Sequence, residues 1–145
     1  MIQRIQTIFL ILAAGCFGAL FKLPFATSSV SSAHFLADNV YNIQDHLALL
    51  SITILAVGVS VLTIFLFKNR KLQRKLVYLI AFLAIGLVIV SYLLLKIDSQ
   101  GVMQSLTLQL QAGTFLAIGG VVFSLLAGYY IGKDEKLVKS MDRLR

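Results

Sequence analysis

The chain is poor in reactive and charged side chains, and each shortage removes a class of function. Among 145 residues there are one cysteine, one proline, no tryptophan, two histidines and six acidic residues. A lone Cys16 allows no internal disulfide and lacks the pair that a quinone-linked thiol oxidase needs. His34 and His46 lie outside the long apolar runs, so no imidazole is placed to ligate a membrane-embedded haem. Those runs hold no Asp or Glu, which removes the embedded carboxylate of a small proton-coupled multidrug transporter. Lys22, Lys68, Lys75 and Lys96 sit at run ends, leaving no buried amine for a Schiff base. Ser51, Ser60, Ser91 and Ser124 have no His or Lys base at their depth, as an intramembrane serine protease would require. Without Trp, the outer-loop motif of a claudin-like junction protein is also missing.

What the chain has instead is apolar length. Hydrophobic residues make up 59% of it and charged residues 13%, where a soluble domain carries about 25% charged. Four runs, approximately 5–23, 47–67, 76–95 and 112–131, each approach the roughly 20 residues that cross a hydrocarbon core about 30 Å thick. Only helices satisfy their backbone there. The expected fold is an all-α membrane protein, a four-transmembrane-helix bundle forming one integral membrane domain over 1–145, with a tail at 133–145.

Net charge is +7, and its placement is informative. Residues 68–75 carry Lys68, Arg70, Lys71, Arg74 and Lys75 with no acid. The tail adds Lys133, Lys136, Lys139, Arg143 and Arg145, and the N-terminus adds Arg4. Eleven of the thirteen Lys and Arg therefore fall on one side. The positive-inside rule places that side, and both termini, in the cytoplasm. Anionic headgroups are the natural partner of such a face. No aromatic residues are interleaved with the basic ones to stack bases, so no nucleic-acid partner is expected.

The first run reaches Leu12-Ala13-Ala14-Gly15-Cys16, which resembles a lipoprotein cleavage box. Its small residues are one place out of register, and the run continues through Leu20 and Phe21, so a retained helix is expected, with Cys16 as a small packing residue. Pro24 ends the helix. The outer loop at 25–46 turns from Ser-rich to apolar at Phe35, Leu36, Val40, Tyr41 and Ile43, which suggests packing on the membrane surface or on the second outer loop. That second loop, 96–111, alternates apolar and polar from Leu106 to Gln111. Two readings are open: a small outward β-element pairing with the first loop, or an early start of the fourth helix.

Gly120, Ser124, Gly128 and Gly132 recur every four residues and form a helix-packing stripe. It serves a seam within the chain, against the first or third helix, or a seam with another molecule. Leu137, Met141 and Leu144 give the tail a short amphipathic pattern. His34, Asp38, Asp45 and His46 contain the atoms of a metal site but no recognised ligand spacing, so no metal or cofactor is expected. Asp45 is expected to cap the second helix.

The two ends carry a resemblance. Met1-Ile2-Gln3-Arg4-Ile5-Gln6-Thr7 before an apolar run, the Asn69-Arg70 pair, and Lys133-Asp134-Glu135-Lys136-Leu137-Val138-Lys139-Ser140-Met141-Asp142-Arg143-Leu144-Arg145 resemble a bacterial family of small four-helix membrane proteins, domain of unknown function 4293. The resemblance implies a multi-pass inner-membrane protein and carries no catalytic residues. It draws attention to a cytoplasmic docking face of Arg4, Arg70, Arg74, Asp134, Glu135, Asp142 and Arg143, whose charges can instead pair with one another. The expected role is non-enzymatic, an accessory or structural subunit with a membrane-protein partner or a second copy of the chain. The alternatives are a small oligomeric transporter or channel lined by Ser51, Thr53, Ser60, Thr63, Ser91 and Ser124, and a lipid-acting enzyme using the His/Asp set of the outer loop.

Overall fold

The computed structural model describes residues 2–28, 40–66, 69–98 and 108–142. Its elements run α1 (Ile2–Ala19), β1 (Ala26–Ser28), β2 (Val40–Tyr41), a 3-10 turn (Ile43–Asp45), α2 (Leu47–Phe65), α3 (Arg70–Asp98), β3 (Leu108–Leu110) and α4 (Ala112–Asp142). Among the described residues, three stretches are helical, long and apolar enough to cross a membrane: Leu47–Phe65, Arg70–Ile97 and Ala112–Val138. Ile5–Ala19 is a shorter apolar helix. Helices α1 and α2, α2 and α3, α3 and α4, and α4 and α1 are packed neighbours, so the four close on themselves. The chain direction puts the strands at one end, the sheet end, and residues 66–75 with the last turns of α4 at the other, the basic end.

The helices carry many large apolar side chains on their outer faces. Leu47, Ile54, Leu55, Leu62 and Phe65 of α2 are exposed, while Leu49, Thr53, Ala56, Ser60 and Thr63 are buried. Phe82, at 72% exposure, and Phe115, at 64%, repeat the pattern on α3 and α4. Exposed apolar surface on this scale is costly in water and ordinary in lipid. The interior is built from Leu10, Ala13 and Phe17 of α1, Ile80, Ala84 and Leu87 of α3, and Ala117, Ala127 and Ile131 of α4. Phe9 stacks on Tyr130 at 5.3 Å between ring centres, tying α1 to α4 near the basic end.

Element lengths depart from the apolar runs. The run 5–23 stops being α-helical at Ala19. Phe21 N bonds Gly18 O at 3.3 Å and Lys22 N bonds Ala19 O at 3.0 Å, tightening the chain into turns before Pro24. The runs 76–95 and 112–131 are cores of longer helices. At 29 and 31 residues, α3 and α4 span roughly 44 and 46 Å, more than a hydrocarbon core needs. The basic residues from Arg70 to Lys75 thus form the first turns of α3 rather than a linker, and residues 133–142 continue α4 without a break. No proline interrupts either segment.

The segments before α2 and before α4 both contribute to one antiparallel sheet in the order β2-β1-β3. Ala26 pairs with Tyr41 and with Leu110, and Thr27 with Val40 and with Gln109. The alternating segment before α4 is thus a strand over Leu108–Leu110. Tyr41 and Ile43 of the first loop are buried, and the Tyr41 hydroxyl donates to the Ser91 carbonyl at 3.4 Å, joining the sheet to α3. The start of α4 is seated on the first loop. Gly113 N donates to Pro24 O at 2.9 Å, and Gln111 N and the Thr114 hydroxyl both donate to Phe25 O, at 2.9 and 2.6 Å. A Cβ at Gly113 would lie 2.7 Å from the Pro24 carbonyl carbon, so this approach requires glycine.

The cap of α2 is His46, whose Nδ1 accepts from Ala48 N at 3.1 Å. Asp45 instead accepts from Asn42 N at 2.6 Å and closes the preceding turn. The cap expected of Asp45 therefore falls one residue later, where the chain is still extended.

Candidate functional site

The polar side chains converge at the basic end. Asn69 Oδ1 accepts from Leu72 N at 3.2 Å and starts α3. Arg70, Gln73, Arg74, Val77 and Tyr78 then follow at helical spacing, so this side of α3 carries two guanidiniums toward α4 and an amide toward α2. On α4, Ile131, Asp134 and Glu135 repeat that spacing in the opposite chain direction.

Two ion pairs link these faces. Arg70 Nη1 lies 3.3 Å from Asp134 Oδ2, with side-chain exposures of 27% and 12%. Arg74 Nη1 lies 3.2 Å from Glu135 Oε2, at the rim, and its guanidinium sits 5.8 Å from the centre of the Tyr78 ring. The inner pair meets as charges without hydrogen-bond alignment, so Arg70 Nη1 and Asp134 Oδ2 have no hydrogen-bond partner among the described residues. Gln73 is 1% exposed, and its amide donates to the Thr63 carbonyl at 3.3 Å, satisfying one of the last carbonyls of α2. Gln6 of α1 is 2% exposed. The Oε1 atoms of Gln6 and Gln73 are buried and have no hydrogen-bond partner among the described residues. Each of the four helices thus contributes a polar group to this end.

Of the residues singled out in the sequence, Arg70, Arg74, Asp134 and Glu135 are brought together as two crossed-helix pairs. The side chains of Arg4 and Asp142 and the whole of Arg143 lie outside the described residues, as do His34 and Asp38 of the outer loop. The small-residue stripe of α4 divides. A Cβ at Gly120 would lie 2.6 Å from Cζ of Phe17 on α1, Ser124 is fully buried, and a Cβ at Gly128 would lie 3.3 Å from Val77 Cγ1 on α3. At Gly132 a Cβ would meet nothing within 4 Å. Three members of the stripe face the interior, and the fourth opens onto a groove.

That groove was not foreseen from the sequence. It has a volume of about 300 Å³ and lies between Arg74 and Tyr78 of α3 and Gly128, Tyr129, Gly132, Lys133 and Lys136 of α4. A second hollow of about 260 Å³ takes in Lys71, Arg74, Lys75, Tyr78 and Glu135. The recurrence of Tyr78 and Tyr129 beside basic residues at the ends of apolar runs was the available signal.

The hydroxyls inside the helices are committed locally. Thr53 donates to Leu49 O at 2.7 Å, Ser60 to Ala56 O at 2.6 Å and Thr63 to Val59 O at 2.6 Å. Ser51, Ser91 and Ser124 do the same to carbonyls three residues back. Each satisfies itself within its own helix, as hydroxyls in apolar surroundings do.

The fold and its polar end define a class: a helical protein with membrane-length apolar helices, a small sheet at one end and an ion-paired basic cluster at the other. Within that class the chain belongs to the family described as domain of unknown function DUF4293, whose family model matches residues 2–144. No curated protein and no solved structure matches it.

Proposed function

We propose that this chain is a non-enzymatic, multi-pass subunit of a bacterial inner-membrane assembly, with its basic end and both termini in the cytoplasm. The supporting observation is where its polar atoms go. Ser51, Thr53, Ser60, Thr63, Ser91 and Ser124, the side chains that a conduction path would need, each donate to a carbonyl of their own helix. The Arg70–Asp134 and Arg74–Glu135 pairs hold α3 to α4. Such an interior holds the helices in place, leaving the exposed flanks and the basic end for partners. The orientation rests on the excess of Lys and Arg at that end.

Two measurements test the reading. Reporter fusions at residues 69 and 99 should place the first in the cytoplasm and the second outside. Gentle extraction of the tagged protein followed by mass spectrometry should return one near-stoichiometric membrane protein. A lone monomer or homo-oligomer, or solute flux in proteoliposomes, would overturn the subunit reading.

A further inference from the structure

The groove between α3 and α4 has the chemistry of an anionic-lipid site. Its upper wall is cationic: Lys133 and Lys136 are exposed on α4, and Arg74 faces them from α3. Lys71 and Lys75 flank Arg74 on its other side, and among the described residues Glu135 is the one acid lining either hollow. The field there is therefore positive even with Arg74 paired to Glu135.

The floor is shaped by glycine. The helices touch at Gly128, where a Cβ would lie 3.3 Å from Val77 Cγ1, and one turn later at Gly132 the space is open. Any larger residue at position 132 would enter this notch. Below it the surface becomes wholly apolar. From Tyr78, exposed residues continue down α3 through Phe82, Ile85 and Ile89, and from Tyr129 down α4 through Leu125, Val122 and Ile118. Tyrosines at the junction of a charged rim and an apolar flank mark the level of lipid headgroups.

We propose that this groove binds the headgroup of an anionic phospholipid. The phosphate lies among Arg74, Lys133 and Lys136, the Gly132 notch admits the headgroup, and an acyl chain follows the apolar rows below. A soluble phosphate would have no use for those rows. A zwitterionic lipid would place its own cation among these. The site requires the helices to lie in a membrane and is independent of the subunit role.

The test uses the full chain purified in mild detergent, with retained lipid read by native mass spectrometry during titration with phosphatidylglycerol or phosphatidylcholine. The wild type should retain phosphatidylglycerol selectively. A Lys133→Ala/Lys136→Ala variant should bind it roughly tenfold or more weakly, as expected for two near-surface cations. Gly132→Leu, which leaves the charge intact and fills the notch, should also lose selective retention, with unchanged thermal unfolding showing that the fold persists. Lys96→Ala, at the sheet end, should bind as the wild type does. Equal retention of both lipids, unchanged phosphatidylglycerol binding in both groove variants, or its displacement by inorganic phosphate alone would overturn the site.

Discussion

The two ends of the molecule are closed by different physics. At the sheet end, backbone meets backbone: three short strands pair, and α4 begins with Gly113 N on Pro24 O. At the basic end, side chains make the closure: two ion pairs, one side-chain amide on a backbone carbonyl and several buried atoms without a hydrogen-bond partner among the described residues. A backbone closure is rigid and nearly indifferent to residue type except where space is short. A side-chain closure leaves polar atoms underused and can respond to what binds beside it. The comparison assigns the fixed backbone geometry to the sheet end and the adjustable polar contacts to the basic end.

The sharpest way to break the sheet end is Gly113→Val. Its Cβ would enter the Pro24 carbonyl and remove a backbone hydrogen bond, so we expect a loss of about 4 kcal/mol, read as lost thermal unfolding cooperativity in mild detergent. At the basic end the largest effect should come from Arg70→Met, which strands the buried Asp134 carboxylate and should cost about 3 kcal/mol. Adding Asp134→Leu should restore most of that stability, since two apolar side chains can replace a buried pair. Arg74→Met, at the rim, should cost less than Arg70→Met. The comparison fails if the rim pair proves the more important of the two.

The stripe on α4 offers a finer test within a single helix. Gly120→Ala crowds Phe17 and should destabilise by about 2 kcal/mol. Gly132→Ala meets nothing within 4 Å and should be neutral or stabilising by about 0.5 kcal/mol through helix propensity. Equal effects at the two positions would show that the stripe does not divide as described. At the sheet end, His46→Ala should cost about 1 kcal/mol from loss of the α2 cap, with His46→Asn retaining most of the stability.

The long apolar runs were legible because crossing a membrane takes about 20 apolar residues, a length that stands out in a sequence. Residues 47–67 became Leu47–Phe65 almost unchanged, and of the two readings open for the alternation before α4 the strand is the one found, over Leu108–Leu110. The ends of α1, α3 and α4 were less legible. Charged residues from Arg70 to Lys75 look like a turn when hydropathy alone is counted, yet they are good helix formers and nothing in them stops a helix. The first apolar run looks long enough to cross, but its last residues tighten into turns before Pro24.

By itself the sequence determined the apolar runs, the asymmetric charge and the four-residue spacing of small side chains on α4, because these depend on composition and on helical or strand period. It also limited the available chemistry, since residues that are absent cannot act. Only the tertiary structure decided that Gly120 meets Phe17 while Gly132 opens a groove, that Arg70 takes Asp134, and that Gly113 rests on Pro24. Those outcomes depend on how neighbouring helices approach and diverge, a distance between segments that no local pattern in the chain encodes.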